Sequence, residues 1–270
     1  TLEPKIRALR GAGLSGSELA QLISACPAVL QLCSALPRIE FWRDLLGNNQ
    51  NLLKAAIKFR RILNLRPNDK VVPRLSLLCS MGIPRHKIGT LILKRPCLVG
   101  YRMDRIKAVA EQVKSMGFKP DSGLFPDALS VVLVSSMDKV DARFKLLRSF
   151  GWSQANLLCA FRGFPNILTL SEKKICSMMG FLLKEAGCDP LYIARHPMLL
   201  GFSLEKRLMP RYSVLQFLRT MGLPGGKNGL SRAMYISEKK FVERYITPNS
   251  DNFPQIIEIY HAVGVKATSS

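Results

Sequence analysis

The chain repeats itself about every 35 residues, and this spacing restricts its fold more than any single motif does. Six segments end in a glycine, and successive glycines lie 35, 35, 34, 36 and 35 residues apart: Gly47, Gly82, Gly117, Gly151, Gly187 and Gly222. With few exceptions, the residues one, four, five and eight places before each glycine are apolar, so they share one face of an α-helix. Each segment is therefore predicted to be an amphipathic helix that ends at its glycine, where a left-handed residue is favoured.

A second repeated feature lies upstream of each of these helices. It is a four-residue stretch with an apolar residue at its end, and it begins at Pro27, Arg60, Pro96, Ser130, Pro165 and Pro197. Proline ends the preceding helix because its ring carries no N–H, and the apolar residue three places later fits a tight 3₁₀ turn. The missing proline at Arg60 and Ser130 leaves the turn geometry open there, although the register continues.

Such a unit cannot bury its apolar face alone, whereas stacked neighbours can. We predict an all-α fold, a right-handed or curved α-solenoid (superhelix) of six to seven repeats of about 35 residues, each built as helix, 3₁₀ turn, helix. The repeat array is expected to occupy residues 1–222. Residues 223–270 are expected to form a capping segment and a partly mobile tail.

Two stretches resemble nucleotide-binding motifs of enzymes, but neither meets all the requirements of its motif. Gly11 to Gly16 match the G-x-G-x-x-G dinucleotide fingerprint, but no strand precedes them. We predict a helix end and loop there instead, with Ser15 or Ser17 capping the next helix. The segment Gly225-Gly226-Lys227-Asn228 lacks the first glycine and the final hydroxyl residue of a phosphate loop. We expect no enzymatic activity and no cofactor.

Metal sites, disulfides and membrane spans are not indicated either. The seven cysteines never form C-x-x-C, and the three histidines (86, 196 and 261) are widely separated. His196, beside Pro197, is expected to be a packing residue. The longest apolar stretch, 128–134, is far shorter than a membrane span requires. We expect a monomer without a metal, a membrane association or a disulfide framework.

Two stretches carry a family resemblance. ARHPMLLGFSLEKRLMPRYSVLQFLRTMG (194–222) and FRGFPNILTLSEKKICSMMGFLLKEAG (161–187) resemble repeats of the mitochondrial transcription termination factor (mTERF) family, and the resemblance extends from about Ser15 to Arg244. It implies a basic groove that binds nucleic acid in a mitochondrion or chloroplast, in transcription termination or initiation, intron splicing or ribosome assembly. The repeats look most like the plant organellar branch. Since the chain begins at Thr1, we expect its transit peptide to be absent from it.

The charge independently indicates a polyanionic partner. Forty Lys and Arg against nineteen Asp and Glu give a formal net charge of +21, far more than solubility requires. We favour double-stranded DNA, following the resemblance. RNA remains open, because both are bound largely through phosphates. A protein-binding scaffold, with the charge serving solubility, is a further alternative.

Three rows of cations are candidates for phosphate contact. The first, three places before the terminal glycines, points away from the apolar face and comprises Lys114, Arg148, Lys184 and Arg219. The second adjoins the turns and comprises Arg60, Arg61, Lys94, Arg95, Arg162 and Arg195. The third, near the start of the second helices, comprises Arg105, Lys139, Lys174, Lys206 and Arg207. The alternatives are helix-dipole stabilisation for the first row and a salt-bridged, solvated surface for the third.

Four aromatic residues lie near basic ones: Tyr101, Phe202, Tyr212 and Tyr235. They are candidates for stacking on unpaired bases, and packing within the protein is the alternative.

Overall fold

The repeat is realised as pairs of α-helices joined by short turns. A computed structural model describes residues 3–32, 34–226 and 229–265, and this part of the chain contains helices and turns but no β-strand. The predicted all-α class is therefore confirmed. The contacts divide the chain into two units, Thr1–Ser136 and Met137–Ser270.

The first unit stacks its repeats through their first helices. Its helices are α1 (Glu3–Arg10), α2 (Gly16–Ala25), α3 (Ala35–Leu46), α4 (Asn49–Lys58), α5 (Val72–Ser80), α6 (Arg85–Lys94), α7 (Met103–Ser115) and α8 (Phe125–Val134). Helices α2, α4 and α6 occupy equivalent places in successive repeats, and each packs against the next. Side chains such as Leu22, Leu52 and Ile92 are fully buried, so apolar burial holds the stack together.

The second unit begins in the same way and ends in several short helices. Its helices are α9 (Met137–Ser149), α10 (Gln154–Gly163), α11 (Glu172–Gly180), α12 (Pro190–Arg195), α13 (Met209–Thr220), α14 (Leu230–Tyr235), α15 (Glu238–Phe241), α16 (Thr247–Ser250) and α17 (Gln255–Val265). Helix α10 packs against α12, and the turns Pro165–Thr169 and Pro197–Gly201 pack against each other.

The predicted glycine ends are confirmed. Gly13 and all six terminal glycines have positive φ angles, from 61° at Gly187 to 94° at Gly47. Residues with a Cβ rarely adopt this conformation, whereas glycine does so readily. The N-terminal glycine motif likewise lies between two helices, since α1 ends at Arg10 and Ser15 caps the start of α2. Ser15 and Glu18 form a capping box, in which the side chain of each accepts a hydrogen bond from the backbone N–H of the other.

The proline-anchored turns are confirmed at four places. Pro27, Pro96, Pro165 and Pro197 each open a 3₁₀ turn. After Arg60 a shorter 3₁₀ turn, Ile62–Asn64, forms without proline.

The turn expected at residues 130–133 is wrong. Ser130 lies inside α8, which continues to Val134. Without proline the backbone N–H can join the helical hydrogen bonds, and the Ser130 hydroxyl donates to the Asp127 carbonyl oxygen at 2.8 Å. The run from Ala128 to Leu133 is buried as a continuous helix.

The sequence did not indicate four π-helical turns. They are Pro67–Val71 before α5, Phe181–Glu185 after α11, Leu204–Leu208 before α13 and Val242–Ile246 after α15. Three of them, together with the α-helix beside each, make up the second helix of a repeat.

The C-terminal segment packs on the second unit. Helix α17 lies against α13, and Phe241, Tyr245 and Ile256 are fully buried. The end of the predicted tail, 266–270, lies outside the described residues, as do residues 227 and 228 of the rejected phosphate-loop motif.

Candidate nucleic-acid interface

The first row of cations lies at the surface, but three of its members already have partners. Arg148, Lys184 and Arg219 are exposed, and the Lys114 side chain is 38% exposed. The Lys114 ammonium lies 2.7 Å from a Glu111 carboxylate oxygen. Arg148 donates to the Gln154 amide oxygen at 2.6 Å. Arg219 donates through Nε to the Gly226 carbonyl oxygen at 2.6 Å.

The second row surrounds the turns. Arg60, Arg61, Lys94, Arg162 and Arg195 are exposed, and Arg95 is half-buried. Lys94 faces the Asp127 carboxylate at 3.7 Å. The row therefore lies where an external ligand can reach most of its members.

In the third row, two members bind the protein itself. Lys174 donates through Nζ to the Gly201 carbonyl oxygen at 2.9 Å. Arg207 donates to the Met234 and Ile236 carbonyl oxygens at 3.0 and 2.6 Å. Arg207 also lies over the Phe202 ring, 4.3 Å from its centroid. Arg105, Lys139 and Lys206 are exposed.

These backbone contacts form a recurring clasp between repeats. The carbonyl oxygens at the end of a helix or 3₁₀ turn lack helical partners and carry partial negative charge. A cation on a second helix donates to them in the next repeat, 25 to 29 residues further along the chain. The clasping side chains are Arg38, Arg74, Lys174 and Arg207.

Sequence reasoning missed Arg38, Arg74 and Arg211, because the acceptors of all three include backbone carbonyls that no residue type reveals. Arg211 is fully buried. Its guanidinium donates to the Ala233 and Ile236 carbonyl oxygens and to a Glu238 carboxylate oxygen at 2.8 to 2.9 Å. The hydrogen bonds of these three arginines link parts of the protein, and the fully buried Arg211 is not available to an external ligand.

Seven of the fifteen predicted cations have no partner for their charged groups within the described part of the chain. They are exposed, and their charged groups make no hydrogen bond or ion pair with any residue that the structure describes. We call this set the unpaired cations: Arg60, Arg61 and Arg105 in the first unit, and Lys139, Lys184, Arg195 and Lys206 in the second. Their charged groups can therefore contact phosphates without breaking a bond inside the protein, and each such contact would release a counterion from the nucleic acid.

The aromatic candidates are largely occupied. Phe202 packs against Arg207, and the Tyr212 hydroxyl donates to the Glu185 carbonyl oxygen at 2.6 Å. Tyr235 is 40% exposed, and burial raises its pKa to about 12. Tyr101 is half-buried. Packing therefore explains Phe202 and Tyr212 without a bound base.

His196 lies in an aromatic cluster, as expected of a packing residue. Its ring centroid lies 4.6 Å from that of Tyr192 and 6.1 Å from that of Tyr235. Burial lowers the pKa of His196, and the positive charge of Arg195 lowers it further.

Within the described ranges, no group of three His, Cys, Asp or Glu side chains is arranged to hold a metal ion. Nor does any helix in those ranges have the length and apolar character needed to cross a membrane.

The sequence profile of the mTERF family matches residues 1–122 and 37–242. Three similar proteins come from Arabidopsis thaliana. The mitochondrial transcription termination factor MTERF15 is 21% identical over 250 residues, which cover 90% of this chain and 55% of that protein. The chloroplastic factor MTERF8 is 18% identical over 205 residues, covering 76% of this chain and 40% of that protein. The mitochondrial factor MTEF18 is 28% identical over 102 residues, which cover 38% of this chain and 18% of that protein. The chain thus matches about half or less of the length of these relatives.

Proposed function

The chain belongs to the mTERF family, and from that membership we propose that it is a non-catalytic nucleic-acid-binding protein of a mitochondrion or chloroplast. Its relatives MTERF15 and MTERF8 are named as mitochondrial and chloroplastic transcription termination factors. We assign this chain the same class of role, regulation of transcription by termination or initiation.

The unpaired cations are the observation that carries the proposal. An exposed cation without an intramolecular partner gains most from a phosphate, because no existing bond is broken and condensed counterions are released from the nucleic acid. Lys174 and Arg207 would have to leave backbone carbonyls to do the same. We therefore place the phosphate contacts at the unpaired cations of each unit and give the clasping residues a structural role.

Double-stranded DNA is the favoured partner. Binding of single strands usually relies on exposed aromatic rings that stack on bases, and Phe202 and Tyr212 are engaged within the protein. Dispersed cations suit the regularly spaced phosphates of a duplex. The protein is expected to act as a monomer, with residues 1–222 as the repeat array and residues 223–270 as its capping segment.

Fluorescence anisotropy tests this function. Duplex DNA, single-stranded DNA and RNA of one sequence are labelled and titrated with the protein across a salt series. We expect binding that weakens steeply with salt and is tightest for duplex DNA. Tightest binding to RNA would replace transcription with splicing or ribosome assembly. No salt-dependent binding to any of the three would overturn nucleic-acid binding and favour a protein scaffold.

A further inference from the structure

The first unit contains an open apolar groove between two second helices. It lies between α3 and α5, with α6 beside them, and has a volume of about 430 Å³, within the range of sites that hold a ligand. Its lining comprises Phe41, Asp44, Leu45, Val72, Leu75, Ser76, Cys79, Arg85 and Ile88. Most of these groups are apolar, with one carboxylate and one guanidinium among them.

The second unit has the same arrangement with the space filled. Counted back from the terminal glycine of each helix, Phe41 and Phe181 occupy one position, and Val72 and Tyr212 occupy another. The Tyr212 ring packs edge-to-face on Phe181, with ring centroids 5.4 Å apart. Its hydroxyl donates to the Glu185 carbonyl oxygen at 2.6 Å. A tyrosine thus closes the gap between neighbouring second helices there.

The side chains beside this gap are more exposed in the first unit than in the second, where α13 also packs against α17. Leu215, beside Tyr212 in the second unit, is fully buried. Leu75, which stands at the same repeat position in the first unit, is only half-buried. Val72 itself is 40% exposed. Phe41 and Phe181 are the only aromatic residues six places before the six terminal glycines. A tyrosine from the next second helix packs on Phe181, whereas Val72 stands at that position beside Phe41.

We propose that the groove is a docking site for a tyrosine side chain presented by a protein partner. The partner's ring would pack edge-to-face on Phe41, in the place that Tyr212 takes beside Phe181. The one cation that lines the groove is Arg85, which is not among the seven unpaired cations, and this inference does not rest on nucleic-acid binding.

The rim of the groove carries one charge of each sign, because Asp44 and Arg85 both line it and are both exposed. Asp44 is exposed and forms no ion pair within the described part of the chain, so its carboxylate can accept the hydrogen bond of a phenol. Because Arg85 offsets the negative charge of Asp44, the rim holds no excess of cations for a phosphate. In the filled arrangement of the second unit, the corresponding residue is Lys184. The open groove therefore has balanced charge and a mostly apolar lining, unlike the exposed cations assigned to nucleic acid.

Methyl NMR spectra of the full chain test the proposal. The probes are p-cresol, the peptide acetyl-Ala-Tyr-Ala-amide, its all-alanine counterpart and adenosine monophosphate. We expect p-cresol and the tyrosine peptide to shift the methyl signals of Leu45, Val72, Leu75 and Ile88. The all-alanine peptide and the nucleotide should leave these signals in place.

Two substitutions at one position provide matched variants. Val72→Tyr should fill the groove from within and weaken p-cresol binding by at least about tenfold, while Val72→Ala keeps the groove open and should retain binding. The melting temperature of Val72→Tyr should equal or exceed that of the wild type, which shows that the groove was filled without distortion. The proposal fails if no tyrosine probe shifts these signals, if binding survives in folded Val72→Tyr, or if only the nucleotide binds.

Discussion

Two adjacent cations, Lys206 and Arg207, illustrate why a charge count alone does not locate a binding surface. Arg207 donates to two backbone carbonyls and covers the Phe202 ring. Lys206 is exposed, and its ammonium makes no hydrogen bond or ion pair with any residue that the structure describes. Sequence places both in the same basic row, and only the fold separates the structural residue from the one available to phosphate.

Substitution separates these roles. Arg207→Ala should lower the free energy of unfolding by about 2 kcal/mol, because it removes charge-assisted bonds and leaves helix-end carbonyls without partners. Lys206→Ala should change it by less than about 0.5 kcal/mol and should weaken nucleic-acid binding instead. Urea denaturation and anisotropy measure the two effects. Equal stability of the two variants would contradict the clasp.

His196 supplies a pH dependence. Its pKa lies below the ordinary value of 6.5 in the folded chain, because burial disfavours the charged ring. Between the folded and unfolded pKa values the unfolded state binds more protons, so this stabilising contribution is complete above about pH 6.5 and is lost as the pH falls through the folded pKa.

The comparison with His196→Gln isolates this effect. The wild type should lose more stability than the variant when the pH is lowered from about 7 to about 5. Thermal unfolding at several pH values measures the difference. Parallel curves for the two proteins would show that His196 titrates alike in the folded and unfolded states.

Among the secondary-structure elements, the helix ends were predictable and some interiors were not. Glycine at a positive φ and proline at the start of a turn are local requirements, so residue type alone places Gly117 or Pro165 correctly. No residue type in the sequence marks the π-helical turns, and the short apolar run at 128–134 is compatible with either a turn or a continuous helix.

One substitution at two repeat positions tests this difference. Ser130→Pro would place proline at the position where four repeats already have one, yet it should cost about 3 kcal/mol or more because α8 continues through this residue. Arg60→Pro should leave stability unchanged or raise it by up to about 1 kcal/mol, since the backbone angles of Phe59 (φ −140°, ψ 84°) are close to those of Phe164, which precedes Pro165 (φ −152°, ψ 80°). Chemical denaturation of both variants measures the contrast, and equal tolerance at the two sites would contradict a continuous α8.

Over the whole molecule, the helical repeat and the excess of positive charge were predictable from the sequence, but the division of the cations was not. Periodicity and net charge are sums over many residues and survive local exceptions such as Arg43 on an apolar row. The clasps depend on contacts between residues 25 or more places apart in the chain, which spacing alone does not reveal. The open groove beside Phe41 became visible only when filled and unfilled repeats were compared.

The central proposal is that the unpaired cations bind phosphate and that cations with a partner inside the protein do not. Two fourfold variants that remove the same amount of charge test this difference. A fourfold variant with Lys139, Lys184, Arg195 and Lys206 changed to Ala removes the unpaired cations of the second unit. The control changes Arg7, Arg66, Arg102 and Lys239 to Ala, which removes the same charge from exposed side chains that already pair with carboxylates.

The measurement is the slope of log affinity against log salt concentration for duplex DNA, taken for the wild type and both variants. We predict that the slope falls by about 0.9 for each phosphate that the protein no longer binds, up to between about 3 and 4 for the fourfold variant. The slope of the control should stay near the wild-type value. An unchanged slope in the fourfold variant, or an equal fall in the control, would contradict phosphate binding by the unpaired cations.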